Sequence, residues 1–316
     1  MDDTDTMLGL LPFFHIYGML VIMNLGLHRG ATVVTMPRFE IEQFLHVLQT
    51  YGVTFAPIVP PIVLALAKHP AVDKYTLTSL RVLFSGAAPL RENVADAAGA
   101  RLGCRVLQGY GLTETSPVTH AMRVGSGVSK AASIGPPVPN TEVRVVDVES
   151  GVDRGPNEEG ELWVRGPQVM KGYLNQPEAT AATIDPEGWL RTGDIGYADE
   201  DGCFFIVDRV KELIKYKGMQ IAPAELEALL VGHPAIVDAA VVPMADDEAG
   251  EVPKAFVVTR GDVTADEIMA YIAERVAPHK KLRYVEMIEQ IPKSASGKIL
   301  RRVLVQRSAV AGAGPG

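Results

Sequence analysis

A lysine within a run of small residues is the first candidate for chemistry in this chain. Residues 293–302 read KSASGKILRR, and the Gly297–Lys298 pair resembles the end of a phosphate-binding P-loop. A P-loop also needs a glycine five residues before this pair and a Ser or Thr after the lysine. Pro292 and Ile299 stand at those positions, so this is not a Walker A loop. Its basic residues form either a solvated face or a surface that binds an anion.

Three polar, glycine-rich segments follow predicted strands and could bind a ligand. They read FFHIYG (13–18), SGAAPL (85–90) and QGYGLTETSP (108–117). In open α/β sheets, ligands bind beyond the carboxyl ends of the strands, and backbone near glycine can approach them closely. The last segment offers the Tyr110 ring for stacking, the Thr113 hydroxyl, and the Glu114 carboxylate, which suits Mg²⁺. Each also has a structural alternative: a core aromatic, a helix N-cap and a first-turn acid.

The composition excludes several classes of protein. The chain has 316 residues, of which 47% are hydrophobic and 22% charged, so a soluble globular protein of two domains is expected. Two cysteines, Cys104 and Cys203, have no CxxC spacing, which favours a reducing cytoplasm. The acidic start has no apolar segment, so we expect no signal peptide, and no apolar run is long enough to span a membrane. The net charge of −8 argues against nucleic acid as a partner. The oligomeric state stays open.

The elements that would position these residues alternate between strands and helices up to residue 111. Strands are predicted at 7–14, 31–36, 54–59, 80–86 and 105–111. Helices are predicted at 17–28, 41–52, 61–69 and 91–103. Such alternation is typical of a doubly wound, mostly parallel sheet.

The pattern changes twice further along the chain. Residues 128–207 are dense in Pro and Gly and carry short strand-like runs (141–147, 160–166 and 201–208), which predicts an antiparallel β subdomain. Residues 209–306 predict a small α+β unit. Its helices begin at Pro223 and at a Thr264–Glu267 capping box. Residues 307–316 are low in complexity and predicted to be a disordered tail.

Six segments taken together resemble the adenylate-forming acyl-CoA ligases, and the 4-coumarate–CoA ligases in particular. They occur in the order of that family and cover residues 9–306. The six are LPFFHIYG, SGAAPL, QGYGLTETSP, GELWVRGPQVMKGYLN, the run from GWLRTGDIGYADEDG to APAELEALL, and IPKSASGKILRR. Each segment is weak alone, whereas six in order are specific. A luciferase-like oxidase shares these motifs.

The resemblance implies a two-step reaction. A carboxylate attacks the α-phosphate of Mg·ATP and gives an acyl-adenylate, after which the small, mobile C-terminal domain rotates and the thiol of coenzyme A displaces AMP. Because a carboxylate must approach an anionic phosphate, the first step needs a cation. Lys298 takes that role by resemblance, and a mobile loop at Ser296 and Gly297 would carry it. ATP, Mg²⁺, coenzyme A and a carboxylic acid are the implied cofactors and substrates.

The other roles follow from the same resemblance. Tyr110 would stack on adenine, Thr113 would contact phosphate, Glu114 would hold Mg²⁺, and Asp194 and Arg209 would contact the ribose and phosphates. The remaining nucleotide positions are Gly86, Ala87, Ala88, Gln108, Gly109 and Gly111. The remaining catalytic positions are Lys215, Gln220 and His15. The acyl pocket would be lined by Tyr17, Ser85, Pro117 and Val118.

Domain bounds also follow from the resemblance. Residues 1–208 match part of the large AMP-binding domain, with its α/β part at 7–127 and a hinge at Asp208; residues 209–306 match the C-terminal domain. The Ser/Thr/Gly-rich loop that ends in Pro-Lys-Gly in this family has no counterpart here. We therefore expect a C-terminal portion of the family's fold, and the alternative is a non-catalytic remnant that keeps an AMP- or CoA-binding surface.

Overall fold

The computed structural model describes residues 1–123, 130–294 and 298–312, with side chains as far as residue 308. The chain forms two compact units. The first comprises Met1–Thr192 and Gly196–Ile206; the second comprises Gly193–Ile195, Val207–Ser294 and residues from 298 onward. The boundary lies close to the predicted hinge at Asp208. The predicted junction at 127–128 lies outside the described residues.

The first unit is built on a six-stranded sheet with the order β2-β1-β3-β4-β5-β6. Its strands are β1 (Thr6–Gly9), β2 (Thr32–Thr35), β3 (Phe55–Ile58), β4 (Val82–Ser85), β5 (Arg105–Gly111) and β6 (Val118–Ala121). β1 to β5 pair in parallel, and β6 is antiparallel to β5. The prediction of an α/β fold with a mostly parallel sheet is confirmed.

Helices connect the parallel strands. They are a wide helical turn at Tyr17–Asn24, α1 (Leu25–Arg29), α2 (Ile41–Thr50), α3 (Pro60–Lys68) and α4 (Glu92–Leu102). The Glu40 carboxylate caps α2 by accepting from the Gln43 N–H at 2.7 Å. α2 buries Phe44, Leu45 and Leu48 in the main core. Each crossover thus covers the sheet with an apolar face, as parallel strands require.

A second, four-stranded sheet follows, with the order β10-β9-β8-β7. Its strands are β7 (Glu142–Val146), β8 (Gly160–Arg165), β9 (Leu190–Ala198) and β10 (Phe204–Arg209), and α5 (Pro177–Thr183) lies between β8 and β9. β7 and β8 are antiparallel. β9 was not predicted, because Gly193 and Gly196 interrupt its alternation of polar and apolar residues.

The second unit holds a five-stranded sheet, in which β12-β11-β14-β13 are neighbours and β15 pairs in parallel with β14. The elements are β11 (Ile214–Tyr216), β12 (Met219–Ile221), α6 (Pro223–Gly232), β13 (Ile236–Asp246), β14 (Gly250–Thr259), α7 (Ala265–Ala273), β15 (Tyr284–Met287) and α8 (Arg301–Gly312). The predicted capping box is present, since the Thr264 N–H donates to Glu267 Oε2 at 2.8 Å and the Glu267 N–H donates to Thr264 Oγ1 at 3.3 Å.

α8 corrects the predicted tail. The disordered tail predicted from residue 307 is wrong for 307–312, which continue this helix. Leu304 is only 1% exposed and packs with Phe256 in a small core, while Arg307 pairs with Glu286 at 2.7 Å. These contacts order a segment whose small residues look unstructured. Residues 313–316 lie outside the described residues.

None of the helices among the described residues is long and apolar enough to cross a membrane.

Candidate active site

The segment after β4 approaches the helical turn that follows β1. A Cβ added at Gly86 would lie 3.0 Å from the Tyr17 ring, so glycine is needed for this close approach. Ala87 is exposed and has φ +70°, a left-handed conformation that non-glycine residues seldom adopt. Ala88 is half-buried. The predicted nucleotide segment Gly86–Ala88 is therefore a constrained loop at the carboxyl end of a parallel strand.

Gln108 holds that loop from β5. Its side-chain amide donates to the carbonyls of Leu90 at 3.1 Å and Ala131 at 2.6 Å, and its Oε1 accepts from the Leu90 N–H at 3.0 Å. Gln108 is 2% exposed. These side-chain groups position the 86–90 loop, and the prediction that Gln108 contacts the nucleotide stays a prediction.

The turn after β5 is closed by a threonine that the sequence analysis did not select. Thr115 is fully buried, and its Oγ1 donates to the Pro117 carbonyl at 2.6 Å and accepts from the Leu112 N–H at 2.9 Å. A Cβ at Gly111 would lie 1.7 Å from the same Pro117 oxygen. The turn therefore presents Thr113, which is exposed, at a fixed position.

Tyr110 packs against a buried histidine. Its ring centroid lies 5.8 Å from that of His120, which in turn lies 4.7 Å from that of Phe204. His120 is 0% exposed, its Nδ1 is 2.9 Å from Thr119 Oγ1, and its Nε2 has no hydrogen-bond partner among the described residues. Burial lowers the pKa of His120 to about 3, so the imidazole is neutral. His120 supports the Tyr110 ring from behind, and no spacing in the sequence indicates this.

Glu114, the predicted metal ligand, is half-buried on the same turn. Its Oε1 accepts a hydrogen bond from the Tyr173 hydroxyl at 2.7 Å, and its carbonyl accepts from the Met170 N–H at 2.8 Å. Partial burial raises the pKa of Tyr173, and the hydrogen bond to the Glu114 carboxylate raises it further. Residues 1–123, 130–294 and 298–312 contain no group of three or more His, Cys, Asp or Glu that could hold a metal ion.

The predicted acyl-pocket residues differ in their burial and in their hydrogen-bond partners. Tyr17 is 7% exposed and donates its hydroxyl proton to the Phe84 carbonyl at 2.9 Å, and its place in the acyl pocket stays a prediction. Burial raises the pKa of Tyr17. Ser85 Oγ is buried without a hydrogen-bond partner among the described residues. Pro117 is buried and Val118 half-buried at the start of β6.

Two further predicted positions lie beside this group. His15 is half-buried, and its Nδ1 accepts from the Tyr17 N–H at 3.2 Å. At Gly109 an added Cβ would lie 2.5 Å from the Phe84 ring, so the aromatic side chain of β4 fills the space above β5. The structure thus brings together the ends of β4 and β5 and the turn after β1, as the sequence analysis expected from parallel topology.

The second unit gathers the other charged candidates. Asp194 is 4% exposed, and its Oδ1 lies 3.0 Å from Arg209 Nε. Asp208, 5% exposed, accepts from the Arg209 N–H at 2.7 Å and the Ala224 N–H at 2.9 Å. Asp208 therefore joins the end of β10 to the start of α6. Burial, as the largest effect, raises the pKa of Asp208.

Lys298 lies in the same unit as Asp194 and Arg209. The Ser294 N–H donates to the Lys298 carbonyl at 2.8 Å, and the Lys298 N–H donates to Ser294 Oγ at 3.1 Å, which closes the base of its loop. Desolvation first, and the Arg209 guanidinium second, lower the pKa of Lys298. Ser296 and Gly297, predicted to make this loop mobile, lie outside the described residues.

Lys215 and Gln220 face each other across the hairpin of β11 and β12, where they are cross-strand partners. Both are exposed. Lys217 (φ +47°) and Gly218 (φ +80°) form the two-residue turn, a left-handed pair typical of tight hairpins. The hairpin presents the two predicted catalytic side chains on one rigid element.

The chain belongs to the AMP-binding enzyme family. Residues 1–174 match the sequence model of the AMP-binding enzyme, and residues 225–298 match that of the AMP-binding enzyme C-terminal domain. The resemblance to this family is thereby confirmed.

Among curated relatives, 4-coumarate–CoA ligase 2 of Oryza sativa subsp. japonica is 53% identical over 306 residues, which are 95% of this chain and 54% of that protein. This chain therefore spans about half the length of the curated relatives it matches. Of the solved structures, ATP-bound MatB from Rhodopseudomonas palustris has a TM-score of 0.91 at 27% identity, and covers 98% of this chain and 61% of its own. The o-succinylbenzoate CoA synthetase of Bacillus subtilis, in complex with its acyl-adenylate intermediate, has a TM-score of 0.84 at 32% identity, with 96% and 61% covered.

Proposed function

We propose that this chain provides the AMP-binding and C-terminal parts of an ATP-dependent acyl-CoA ligase. The reaction activates a carboxylic acid as its acyl-adenylate and transfers the acyl group to coenzyme A. The observation that carries this proposal is the group formed by Asp194, Arg209 and Lys298 in the second unit. A buried carboxylate paired with a guanidinium lies near an ammonium group that makes no ion pair with any carboxylate among the described residues.

The charges of this group suit the first half-reaction. The Lys298 ammonium is a compact cation that can contact a carboxylate and an α-phosphate oxygen together, which offsets their repulsion. Asp194 can accept hydrogen bonds from ribose hydroxyls, while Arg209 fixes the orientation of its carboxylate. The Tyr110 ring, supported by His120, provides a face for adenine.

Magnesium is part of this proposal, and Glu114 fits it. Mg²⁺ keeps several water and phosphate ligands and needs only one or two carboxylates from the protein. Tyr173 holds one oxygen of Glu114 at 2.7 Å and so orients the carboxylate. When bound, the ion would neutralise phosphate charge.

We also propose a reducing compartment, the cytoplasm, because both cysteines are unpaired thiols.

An aromatic propenoic acid is the acyl substrate that we propose, since the relative from Oryza sativa is a 4-coumarate–CoA ligase. The hydroxyl proton of Tyr17 is bound to the Phe84 carbonyl, so recognition of a ring hydroxyl by Tyr17 is not part of the proposal. A screen with cinnamate, 4-coumarate, benzoate, octanoate and palmitate tests it. Clear preference for palmitate would contradict an aromatic pocket.

The activity is tested in a chimera in which this chain replaces the matching segment of the Oryza sativa enzyme, alongside the chain alone. Lys298→Ala should lower ATP–pyrophosphate exchange by about 10²-fold or more, and spare thioester formation from supplied acyl-adenylate. Arg302→Ala, an exposed cation near the same loop, is the matched control. Exchange at the parental rate in Lys298→Ala would refute the role of this lysine.

Asp208 is proposed as the hinge between the two half-reactions. Its carboxylate joins β10 to α6, and a proline at this position would fix φ. In the chimera, Asp208→Pro should preserve one half-reaction and lower the other. Equal loss of both half-reactions would contradict a hinge at this residue.

A further inference from the structure

Arg301 is the central cation of a buried charge cluster beside Lys298. It is the first residue of α8 and lies three positions after the lysine. Its side chain is 15% exposed, with Nε 2.8 Å from Glu212 Oε2 and Nη1 2.9 Å from Glu227 Oε1. Nη2 also donates to Glu227 Oε2 at 3.1 Å. Nε and Nη1 make ion pairs without hydrogen-bond geometry, and Nη2 makes the hydrogen bond, so the guanidinium pairs with both Glu212 and Glu227.

The carboxylates that Arg301 engages are costly to leave unpaired. Glu227 also accepts from the Val241 N–H at 2.7 Å, and burial raises its pKa while Arg301 opposes this shift. Asp208 lies near the same guanidinium, which likewise opposes the effect of burial on its pKa. Removal of Arg301 would take this cation from Glu212 and Glu227, and a buried acid that loses its ion-pair partner is destabilised.

Lys298 is a cation close to one of these acids, Glu212. The charged groups that act on its ammonium are Arg209, Glu212, Asp194 and Arg301. Although two of these four groups are acids, no carboxylate of the described residues lies within 4.0 Å of Lys298 Nζ. Glu212 is already bound to Arg301, and Asp194 is bound to Arg209. Each neighbouring acid is therefore occupied by an arginine.

We propose that Arg301 is a positioning residue that keeps the Lys298 ammonium available to an anionic ligand by occupying Glu212. An arginine suits this task because different nitrogens of its planar guanidinium reach Glu212 and Glu227, whereas a lysine presents a single point charge. This inference deepens the proposed function and rests on it for the identity of the anion. The occupation of the acids by Arg301 does not depend on that function.

The first test measures the reactivity of Lys298 without turnover. The intact chain is labelled with acetic anhydride between pH 6 and 11, and labelling of Lys298 is followed by mass spectrometry, with exposed Lys68 as an internal reference. In Arg301→Gln, Glu212 becomes free to pair with Lys298 and a neighbouring positive charge is lost. Both changes raise the pKa of Lys298, and labelling at pH 8 should fall about tenfold, the effect of one pKa unit.

A double-mutant cycle separates this electrostatic role from a structural one. Glu212→Gln should change Lys298 labelling little while Arg301 is present, and should restore labelling substantially in the Arg301→Gln background. Arg301→Lys, which keeps the charge but lacks the fork, should lie between wild type and Arg301→Gln. Unchanged labelling in Arg301→Gln, or additive effects of the two substitutions, overturns the proposal. If circular dichroism shows that Arg301→Gln does not fold, Arg301→Lys replaces it in the cycle with Glu212→Gln. Unchanged Lys298 labelling or additive effects in that cycle would overturn the proposal in the same way.

The second test uses ATP–pyrophosphate exchange in the chimera. Arg301→Gln should lower kcat for exchange about tenfold or more, with a smaller effect on KM for ATP. Adding Glu212→Gln to this variant should restore part of the lost kcat. If the labelling cycle behaves as expected but the parental chimera shows no exchange, Arg301 has the proposed positioning role and the proposed function is wrong. If exchange occurs but labelling shows no coupling, the positioning role is wrong.

Discussion

Neutral, buried His120 should make the first unit labile in mild acid. Burial lowers the pKa of its imidazole from 6.5 to about 3 in the folded chain, whereas the unfolded chain titrates near the ordinary value. As the pH falls below 6.5, the unfolded chain binds a proton that the folded chain cannot accept. The free energy of unfolding therefore decreases by about 1.4 kcal/mol per pH unit between these two values, and by about 2 kcal/mol at pH 5 relative to pH 7.5.

The assay is urea unfolding followed by tryptophan fluorescence at pH 7.5 and pH 5. The two tryptophans, Trp163 and Trp189, both lie in the first unit with His120, so their fluorescence reports that unit. His120→Phe keeps an aromatic ring between Tyr110 and Phe204 and removes the titrating group. His120→Phe also removes the contact of Nδ1 with Thr119 Oγ1, a loss that should lower the free energy of unfolding by a similar amount at both pH values.

The wild type should lose about 2 kcal/mol more than His120→Phe between the two pH values. Other groups that titrate in this range are common to both proteins and cancel in the comparison. His28→Gln, which changes an exposed histidine, should behave like the wild type. An equal acid effect in wild type and His120→Phe would show that His120 is protonated in the folded chain, and the reasoning would be refuted.

The remaining predictions concern the loops after β4 and β5. Gln108→Leu should lower the free energy of unfolding by about 2 kcal/mol or more in the same assay, because the N–H and C=O of Leu90 lose their buried partners. Gly111→Ala should cost more than about 3 kcal/mol, since the new Cβ would lie 1.7 Å from the Pro117 oxygen. Gly103→Ala, where an added Cβ meets nothing within 4 Å but φ is +64°, should cost about 1 kcal/mol. Similar losses in the two alanine variants would contradict the steric argument.

Local patterns were sufficient to predict the main elements of the fold. Alternating strands and helices indicated the parallel sheet, because each crossover leaves its own period in the sequence. The Thr264–Glu267 capping box needs residues only three apart, and it lies where it was predicted. The order of six motifs indicated the family. In each case the signal lies in residues that are close together in the sequence, so it does not depend on tertiary contacts.

Patterns of this kind did not reveal β9 or α8. Gly193 and Gly196 hide the alternation of β9, and hydrogen bonding to neighbouring strands, rather than local preference, fixes it in the sheet. The small residues of α8 suggest disorder, but the burial of Leu304 and the pairing of Arg307 with Glu286 order its helix. Both elements depend on partners that are distant in the chain.

Side-chain roles in the candidate site were decided by tertiary contacts. Tyr17 and Phe84 are 67 positions apart, and their hydrogen bond occupies the hydroxyl proton of Tyr17. Arg301 and Glu227 are 74 positions apart, and no spacing indicates that they meet. The sequence determined which residue types stand at the ends of which strands. Only the folded chain decided which of their polar groups have protein partners, because buried hydrogen-bonding groups must pair with whatever the fold brings near them.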